Sequence, residues 1–340
     1  MTSTPQISVV MSVRNGAPYV REAVESILNQ TMRDFEFVIV DDGSTDATRD
    51  IIKSYRDERI VLIERAHAGL ADSLNAGISR ARASLICRMD ADDVSLPHRL
   101  ETQLCCMSRD PGLAVLGAGC TYTNKDGTPL GTQEVSCEHE PLLRNILNAR
   151  AKGIILHPTV MMRKEAFCRA GGYRDRFAVC EDVDLWLRIS ELGRLRIISD
   201  RCLLYRMHGE RVSVLHRRTQ LLSGILARAC YRARRKGLPD PAQVNDTEWQ
   251  EFRGCAHAIL ERGGVYMADE ARIAMASGVA GRRGIRRYAR LLGLLAADPS
   301  LWVSAVSKAR WRRSLRQVTR LAEARTAKLS PPVDVCSDTM

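Results

Sequence analysis

The sequence predicts an α/β fold with a mostly parallel sheet, helices on both faces and a helical C-terminal extension. In the first half of the 340-residue chain, short apolar runs alternate with stretches whose apolar residues recur at helical spacing. Four such repeats with short turns imply parallel strands joined by right-handed crossovers. The pattern is Rossmann-like, but no G-x-G-x-x-G follows the first strand, which argues against a dinucleotide cofactor.

Apolar runs mark the first four strands, and the segments between them have helical spacing. The strands are predicted over residues 7–13, 35–40, 60–63 and 85–89. Pro18 lies in the first turn of a helix that extends to Gln30, a second helix starts near Ala47, and Gly69 opens a third. This alternation of strand and helix is what a parallel sheet requires.

The following residues are predicted to continue the sheet with shorter elements. Strands are predicted over 113–118, 154–162, 194–198 and 203–208, and helices over 97–107, 141–151, 165–170 and from Glu181. Pro158 cannot donate to a sheet ladder, so it is expected to bend its strand at an edge or beside a site. Lys125-Asp126-Gly127 predicts a hairpin turn.

Two carboxylates follow the second predicted strand. Its apolar run suits a buried parallel strand, and it leads directly into Asp41, Asp42 and Gly43. Gly43 permits a tight turn before the next helix. Because ligands collect beyond the carboxyl ends of strands in open α/β sheets, Asp41 and Asp42 are expected to face a bound nucleotide.

A second acidic group, Asp90, Asp92 and Asp93, follows the fourth predicted strand. Three carboxylates within four residues repel one another unless a cation lies among them. A hard divalent ion, Mn²⁺ or Mg²⁺, that also carries phosphates would resolve this repulsion. An isolated D-x-D is more often a solvated turn, but its position after a strand, in one chain with the first acidic turn, favours a metal site.

Charge is distributed unevenly along the chain. Residues 1–214 carry 28 Lys+Arg and 29 Asp+Glu, a net charge of −1, whereas residues 215–340 carry 23 and 11, a net charge of +12. We therefore predict an α/β domain over 1–214, a basic helical region over 215–330 and a flexible tail over 331–340. This basic excess suggests an anionic partner for the region.

The 11 cysteines are scattered without a C-x-x-C pair, and they are expected to be reduced thiols. The polar N-terminus is unlike a signal peptide, and no apolar run approaches the roughly 18 residues of a membrane span. The expected location is the cytoplasm, including a peripheral position on the inner face of the cell membrane.

With these patterns in place, the chain resembles the inverting family-2 nucleotide-sugar glycosyltransferases, which have the GT-A fold. The shared motifs are ISVVMSVRN at 7–15, VDDGSTD at 40–46, DADD at 90–93, HPT at 157–159, GGY at 171–173, EDVDLW at 181–186 and YRMHG at 205–209. They occur in the family's order, and the region after Leu215 lies outside the resemblance. The chain lacks the Q-x-x-R-W motif of processive members after its E-D motif, so transfer of one sugar or a few is expected.

The resemblance implies a role for each matching residue. Asp182 is the expected general base, with Glu181 as the alternative. Asp42, with Asp41 beside it, would read the uracil or thymine imide of the donor. The other expected contacts of the donor nucleotide are Val13, Asn15, Asp90 and Arg211. The ligands expected for Mn²⁺ or Mg²⁺ are Asp92, Asp90, Asp93 and His208. The expected acceptor region comprises His157, Gly172, Tyr173 and Trp186.

The implied activity is metal-dependent, inverting transfer of a sugar from a UDP- or dTDP-sugar to a hydroxyl of a glycan or lipid-linked acceptor, in cell-surface polysaccharide or glycolipid synthesis. This chemistry needs a cation on the leaving diphosphate and one base for the acceptor hydroxyl, but no enzyme nucleophile. A nucleotidyltransferase of similar sheet topology and a non-catalytic membrane-associated scaffold remain as alternatives.

The basic C-terminal region contains an amphipathic pattern. Trp311, Leu315, Val318 and Ala322 recur at helical spacing, with arginines between them. The pattern fits a packed helical subdomain with a solvated arginine face, and it also fits a helix on an anionic membrane surface. Nucleic acid is not expected as a partner, because no RNP, zinc-finger or helix-turn-helix pattern is present.

Overall fold

The computed structural model describes residues 4–149, 154–209, 216–266 and 299–327, with side chains for residues 312–326 in the last range. The chain divides into two compact units, Met1–Leu215 and His216–Met340. The described elements of the first unit are strands and helices, and those of the second are helices.

The first unit contains a nine-stranded sheet. Its strands are β1 (Ile7–Val13), β2 (Phe35–Asp42), β3 (Ile60–Arg65), β4 (Leu85–Asp90), β5 (Val94–Ser95), β6 (Leu113–Thr123), β7 (Pro129–Gln133), β8 (Met161–Arg163) and β9 (Arg194–Arg206). The order is β3-β2-β1-β4-β8-β6-β9-β5, and β7 pairs with β6. The first four strands are parallel, as predicted. Beyond β4 the sheet is mixed, because β8 is antiparallel to β4 and β6, whereas β6 and β9 are parallel.

Helices follow the strands of the first unit. They are α1 (Val20–Leu28), α2 (Thr48–Lys53), α3 (Leu70–Arg80), α4 (Arg99–Arg109), α5 (His139–Leu147), α6 (Lys164–Arg169) and α7 (Glu181–Ile189). The apolar side chains of β1 and β2 are almost completely buried, and so is the face of α1 formed by Val20, Val24 and Ile27. This burial is the main source of stability for the part of the sheet that carries the two acidic turns.

The predicted strand over residues 154–162 is wrong for most of its length. His157–Thr159 forms a single 3₁₀ turn, and only Met161–Arg163 pairs as a strand. The reason is that Pro158 has a fixed φ and no N–H, which suits the start of a helical turn. The Thr159 hydroxyl closes this turn by donating to the Leu156 carbonyl at 2.7 Å.

The two strands predicted over 194–198 and 203–208 are one continuous strand, β9. Its register against β6 shifts on both sides of Gly119. At this irregularity β9 contains the polar residues that separate its two apolar runs. A Cβ atom on Gly119 would lie 2.6 Å from the carbonyl oxygens of Gln133 and Ser199. The glycine therefore allows the close backbone approach that keeps β9 in the sheet. The hairpin predicted at Lys125-Asp126-Gly127 joins β6 and β7, as expected.

Replacing Gly77 by Ala is expected to destabilise the first unit by about 1–3 kcal/mol. Gly77 lies in α3, where an added Cβ would lie 2.7 Å from Cγ1 of Val10 and 3.0 Å from Cγ2 of Val40, both in the rigid sheet. Guanidinium unfolding followed by circular dichroism measures the change. Gly131→Ala is the control, because no atom lies within 4 Å of its Cβ position. Equal unfolding midpoints of the two variants would contradict this account of the packing.

The second unit consists of helices in its described part. They are α8 (Arg217–Arg234), α9 (Asp246–Arg262) and α10 (Pro299–Ala327). Helix α10 contacts both α8 and α9. Leu315, Val318 and Ala322 are buried, so the apolar stripe predicted from the sequence packs inside this unit. Trp311, the first member of that stripe, lies outside the described side chains, and so does the predicted tail over 331–340.

Among the described helices, none combines the length and the apolar character that crossing a membrane requires.

Candidate active site

The carboxyl ends of three parallel strands bring the two acidic turns to one edge of the sheet. In the ladder, Val13 at the end of β1 pairs with Asp41 of β2, and Ser12 pairs with Asp90 of β4. Strand β1 therefore lies between the two acidic turns. The sequence predicted this juxtaposition from the position of each turn after a parallel strand.

The loop after β1 is tied to the loop after β2. Asn15 has a φ of 52°, and its side-chain Oδ1 accepts from the Thr45 amide at 2.8 Å, while its own amide donates to Ser44 Oγ at 3.0 Å. The Gly16 amide donates to Thr48 Oγ1 at 2.8 Å. Asn15 is a residue type that tolerates the left-handed region, so the loop keeps this shape at little cost. The two loops consequently form one rigid rim.

Asp41 is completely buried and supports the turn after β2. Its Oδ1 accepts from the Ser44 amide at 3.1 Å, and its Oδ2 pairs with Arg49 Nε at 3.0 Å. Val13, which pairs with it, is also buried. A direct contact of either residue with a nucleotide stays a prediction.

Asp42 organises the loop after β3. Its Oδ1 accepts from the Ala68 amide at 2.8 Å, and its Oδ2 accepts from the Gly69 amide at 3.0 Å and lies 2.8 Å from His67 Nδ1. Arg14 Nη1 lies 3.1 Å from His67 Nε2, and a guanidinium can only donate, so Nε2 accepts and Nδ1 carries the proton that Asp42 receives. Burial alone would raise the pKa of Asp42, but these hydrogen bonds outweigh it and lower that pKa.

The second acidic turn presents a compact set of oxygen ligands. One carboxylate oxygen from each of Asp90, Asp92 and Asp93 lies within 4.8 Å of the other two. His208 Nε2 lies 2.8 Å from Asp92 Oδ2, and His208 Nδ1 is buried without a hydrogen-bond partner among the residues that the structure describes. Hard carboxylate oxygens with one imidazole nitrogen suit Mn²⁺ or Mg²⁺, so the donor set fits the predicted metal.

Arg206, at the end of β9, holds this acidic turn in place. Its amide donates to Asp93 Oδ1 and its Nε donates to the Asp92 carbonyl, both at 2.8 Å. The guanidinium also pairs with Glu22 and lies 4.8 Å from the Tyr19 ring centroid. A chain of contacts from α1 to β9 thus holds the Asp93 carboxylate and the backbone of Asp92.

Helix α7 begins with two adjacent acids, Glu181 and Asp182. Glu181 is buried, and this burial, followed by the charge of Asp182, raises its pKa to about 7. Asp182 is more accessible, and its Oδ1 accepts from the Val183 amide at 2.7 Å. Two neighbouring acids with different environments are an arrangement that separates proton-transfer roles.

A group of rings lies beside the start of α7. His157 Nε2 is 2.7 Å from the Tyr173 hydroxyl, and the His157 ring meets Trp186 edge-on with centroids 6.0 Å apart. Burial, followed by the charge of Arg88, lowers the pKa of His157 well below its usual value, so the imidazole is neutral. Trp186 is 1% exposed, so it supports the His157 ring from the interior, and its direct contact with an acceptor stays a prediction.

Asn75 of α3 connects this ring group to the sheet. Its Oδ1 accepts from the Tyr173 amide and its Nδ2 donates to the Tyr173 carbonyl, both at 2.9 Å. Gly172 has a φ of +70°, and a Cβ there would lie 2.9 Å from Asn75 Oδ1. The glycine is therefore required both for the backbone conformation and for the approach of the amide.

The structure brings most of the predicted site residues to the end of the sheet or to α7, whereas Arg211 lies outside the described residues. Four residues with direct roles in the geometry were not predicted from the sequence: Arg88, Arg206, His67 and Asn75. Arg88 and Arg206 stand within or next to recognised motifs, and their burial was the missing information. His67 and Asn75 carry no sequence signal that distinguishes them from ordinary polar residues.

Comparisons with known proteins find similar sequences and a similar fold. Residues 8–168 match the family model described as Glycosyl transferase family 2. EpsE of Bacillus subtilis (strain 168) is 37% identical over 200 residues, which cover 57% of this chain and 69% of EpsE. The O-antigen biosynthesis glycosyltransferase WbnJ of Escherichia coli is 35% identical over 212 residues, which cover 60% of this chain and 80% of WbnJ.

Two solved structures of S. aureus TarS 1-349 share the fold. The complex with UDP has a TM-score of 0.53 at 15% identity and covers 96% of this chain and 92% of TarS 1-349. The complex with UDP-GlcNAc has a TM-score of 0.54 at 16% identity and covers 93% and 92%. At these identities the likeness concerns the fold alone.

Proposed function

This chain belongs to glycosyltransferase family 2, and from that premise we propose that it transfers a sugar from a UDP- or dTDP-sugar to an acceptor hydroxyl, with inversion and with a divalent cation. The acceptor in this proposal is a glycan or a lipid-linked glycan, and transfer is non-processive. The observation that carries the proposal is the position of the Asp90, Asp92 and Asp93 carboxylates at the strand ends beside the loops after β1 and β2.

The metal part of the proposal rests on the donor set. Asp92 and His208, supported by Asp90 and Asp93, would hold Mn²⁺ or Mg²⁺. A cation held there would supply Lewis-acid stabilisation of the negative charge on the departing diphosphate. Arg206 contributes by holding the Asp93 carboxylate and the Asp92 backbone in advance, so that little reorganisation of the turn is needed when the donor binds.

The nucleotide part of the proposal rests on the rim formed by the loops after β1, β2 and β3. Asn15 and Asp42 join these loops through the hydrogen bonds described above, which leaves a preorganised surface for a base and ribose. UDP and UDP-GlcNAc are bound in structures that share this fold, which supports a uridine donor. Arg211 retains its proposed role at the diphosphate.

The acceptor part of the proposal rests on α7. Asp182 would remove the proton of the acceptor hydroxyl as its oxygen attacks the anomeric carbon and the bond to the diphosphate breaks. A single in-line displacement inverts the anomeric centre, and the proton goes to the carboxylate. Glu181 is the alternative base, because a pKa of about 7 also suits proton transfer at neutral pH.

Donor turnover distinguishes this proposal from the alternatives. The purified chain is incubated with Mn²⁺ and a panel of UDP- and dTDP-sugars, and the released nucleotide is identified. Release of UDP or dTDP, with slow hydrolysis in place of transfer when no acceptor is present, supports the proposal. Release of pyrophosphate would indicate a nucleotidyltransferase, and the absence of both binding and turnover would indicate a scaffold.

We also propose that the second unit contacts an anionic membrane surface by charge alone. Four arginines of α10 are exposed: Arg312, Arg313, Arg316 and Arg320. They extend along roughly 12 Å of the helix. The apolar stripe of the same helix is buried, so insertion through that face is not available. Each arginine near an anionic bilayer contributes about 1 kcal/mol, which four together make measurable.

Replacing these four arginines by Gln is expected to abolish sedimentation with phosphatidylserine-containing vesicles at low salt. The wild-type chain should sediment with such vesicles, but not with phosphatidylcholine alone or at high salt. The matched control replaces four exposed arginines of the first unit: Arg21, Arg56, Arg80 and Arg109. Equal sedimentation of the wild type and the α10 variant would contradict the proposal.

A further inference from the structure

Arg88 occupies a position where a sheet ordinarily has an apolar side chain. It lies in β4 between β1 and β8, its backbone pairs with Val10, and its amide donates to the Val160 carbonyl at 2.9 Å. Its side chain is only 3% exposed. A buried guanidinium is costly unless charged groups compensate it, so the position requires an electrostatic explanation.

The compensating charges are the carboxylates of the second acidic turn. Arg88 Nη1 forms an ion pair with Asp90 Oδ1, and Arg88 Nε has no hydrogen-bond partner among the described residues. Burial lowers the pKa of Arg88, but the charge of Asp90, with further contributions that include Asp93, outweighs this and raises it. The guanidinium is therefore a permanent positive charge within the group of proposed metal ligands.

The same charge acts on the other side of the site. Arg88 lowers the pKa of Glu181, in opposition to burial and to Asp182, and it also lowers the pKa of His157. Tyr173 interacts with the same guanidinium. The positive charge of Arg88 therefore acts both on the acidic turn after β4 and on the acids and rings around the start of α7.

We propose that Arg88 is a positioning residue for glycosyl transfer, whose guanidinium holds Oδ1 of Asp90 and limits the negative charge that the carboxylate group presents to a divalent cation. This inference rests on the proposed function. With Oδ1 directed to Arg88, Asp90 would offer one oxygen fewer to a divalent cation, and the donor diphosphate would supply the ligand in its place. Arg88 thus lowers the affinity for the metal ion and favours the donor geometry in which transfer occurs.

The proposal predicts opposite changes in two measurements. In Arg88→Met the positive charge is lost and Asp90 can turn both oxygens toward the cation, so Mn²⁺ should bind at least about threefold more tightly. The kcat for transfer should fall at least about tenfold, with a smaller change in the donor KM, because the diphosphate is no longer held in the reactive geometry. A merely structural role would weaken Mn²⁺ binding and turnover together.

The experiment measures free Mn²⁺ by electron paramagnetic resonance in the presence of UDP, together with transfer kinetics and thermal unfolding. Arg88→Lys keeps the charge but loses the forked geometry, so its Mn²⁺ affinity should stay within about twofold of the wild type while kcat falls. Arg163→Met is the matched control, since Arg163 donates to the carbonyls of Leu113, Met107 and Asp110 and forms no described ion pair with an acid. Its Mn²⁺ affinity and kcat should not change.

Tighter Mn²⁺ binding with a lower kcat in Arg88→Met supports the proposal, and an unchanged kcat or a parallel loss of both overturns it. If Arg88→Met does not fold, Arg88→Lys decides: a lower kcat at unchanged Mn²⁺ affinity supports the proposal, and wild-type kinetics overturn it. A wild-type chain that binds neither Mn²⁺ nor UDP would instead overturn the proposed function itself.

Discussion

Replacing Asp182 by Asn is expected to lower the rate of sugar transfer by about three orders of magnitude while donor affinity stays within about twofold of the wild type. Asn retains the oxygen that accepts from the Val183 amide, so the start of α7 should keep its geometry. What it loses is the ability to take a proton from the acceptor hydroxyl. The measurements are transfer kinetics with a donor identified by screening and donor binding by calorimetry.

Glu181→Gln is the matched variant in this test, because it removes the alternative base from the adjacent position. If Glu181 were the base, kcat would fall as the pH drops through about 7, since with a pKa of about 7 half of the Glu181 carboxyl groups are protonated at that pH and cannot act as a base. Glu181→Gln would then be the inactive variant, and Asp182→Asn would retain turnover. That result would reverse the assignment of the base without affecting the assignment of the family.

Replacing Asp92 by Ala is expected to weaken binding of Mn²⁺ by at least about a hundredfold and to remove metal-dependent donor binding as well. The Asp92 carboxylate is the one that meets both the other two acids of the turn and His208. The backbone carbonyl that Arg206 holds remains in the variant, so the turn itself should keep its conformation. Titration of Mn²⁺ with and without UDP measures both effects.

Asp126→Asn provides the control for this second test. Asp126 is an exposed acid in the β6–β7 hairpin turn, and its replacement removes one negative charge without removing a proposed metal ligand. Its Mn²⁺ affinity should equal that of the wild type. Full Mn²⁺ binding by Asp92→Ala would show that the carboxylates after β4 have no role in holding a metal.

The fold of the first four strands was predictable because its signals are local. Apolar runs, short turns and the glycines at the turns are properties of consecutive residues, and the parallel order follows from the right-handed crossover rule. The prediction was wrong at Pro158. A proline is compatible with the edge of a strand and equally with the start of a helical turn, and both preferences are local. Nothing in the sequence around Pro158 decides between them.

The position of the candidate site was predictable because its signals are also local. Each acidic turn follows a strand, so Asp42 and Asp92 could be assigned to one edge of the sheet without coordinates. The hydrogen bonds that shape this edge were not predictable, since they join residues that are distant in the chain. Asn75 holds Tyr173 across 98 positions, and Arg206 holds the Asp92 carbonyl across 114.

By itself, the sequence determined that this chain has parallel strands ending in carboxylates, a helix that starts with two acids, and a basic helical region after Leu215. Only the tertiary structure decided which side chains meet: Arg88 meets Asp90, His67 meets Asp42, and the apolar stripe of α10 packs inside its own unit. The physical reason is that periodicity and turn chemistry act between neighbours in the chain. Burial and electrostatic pairing, in contrast, depend on everything that surrounds a side chain in space.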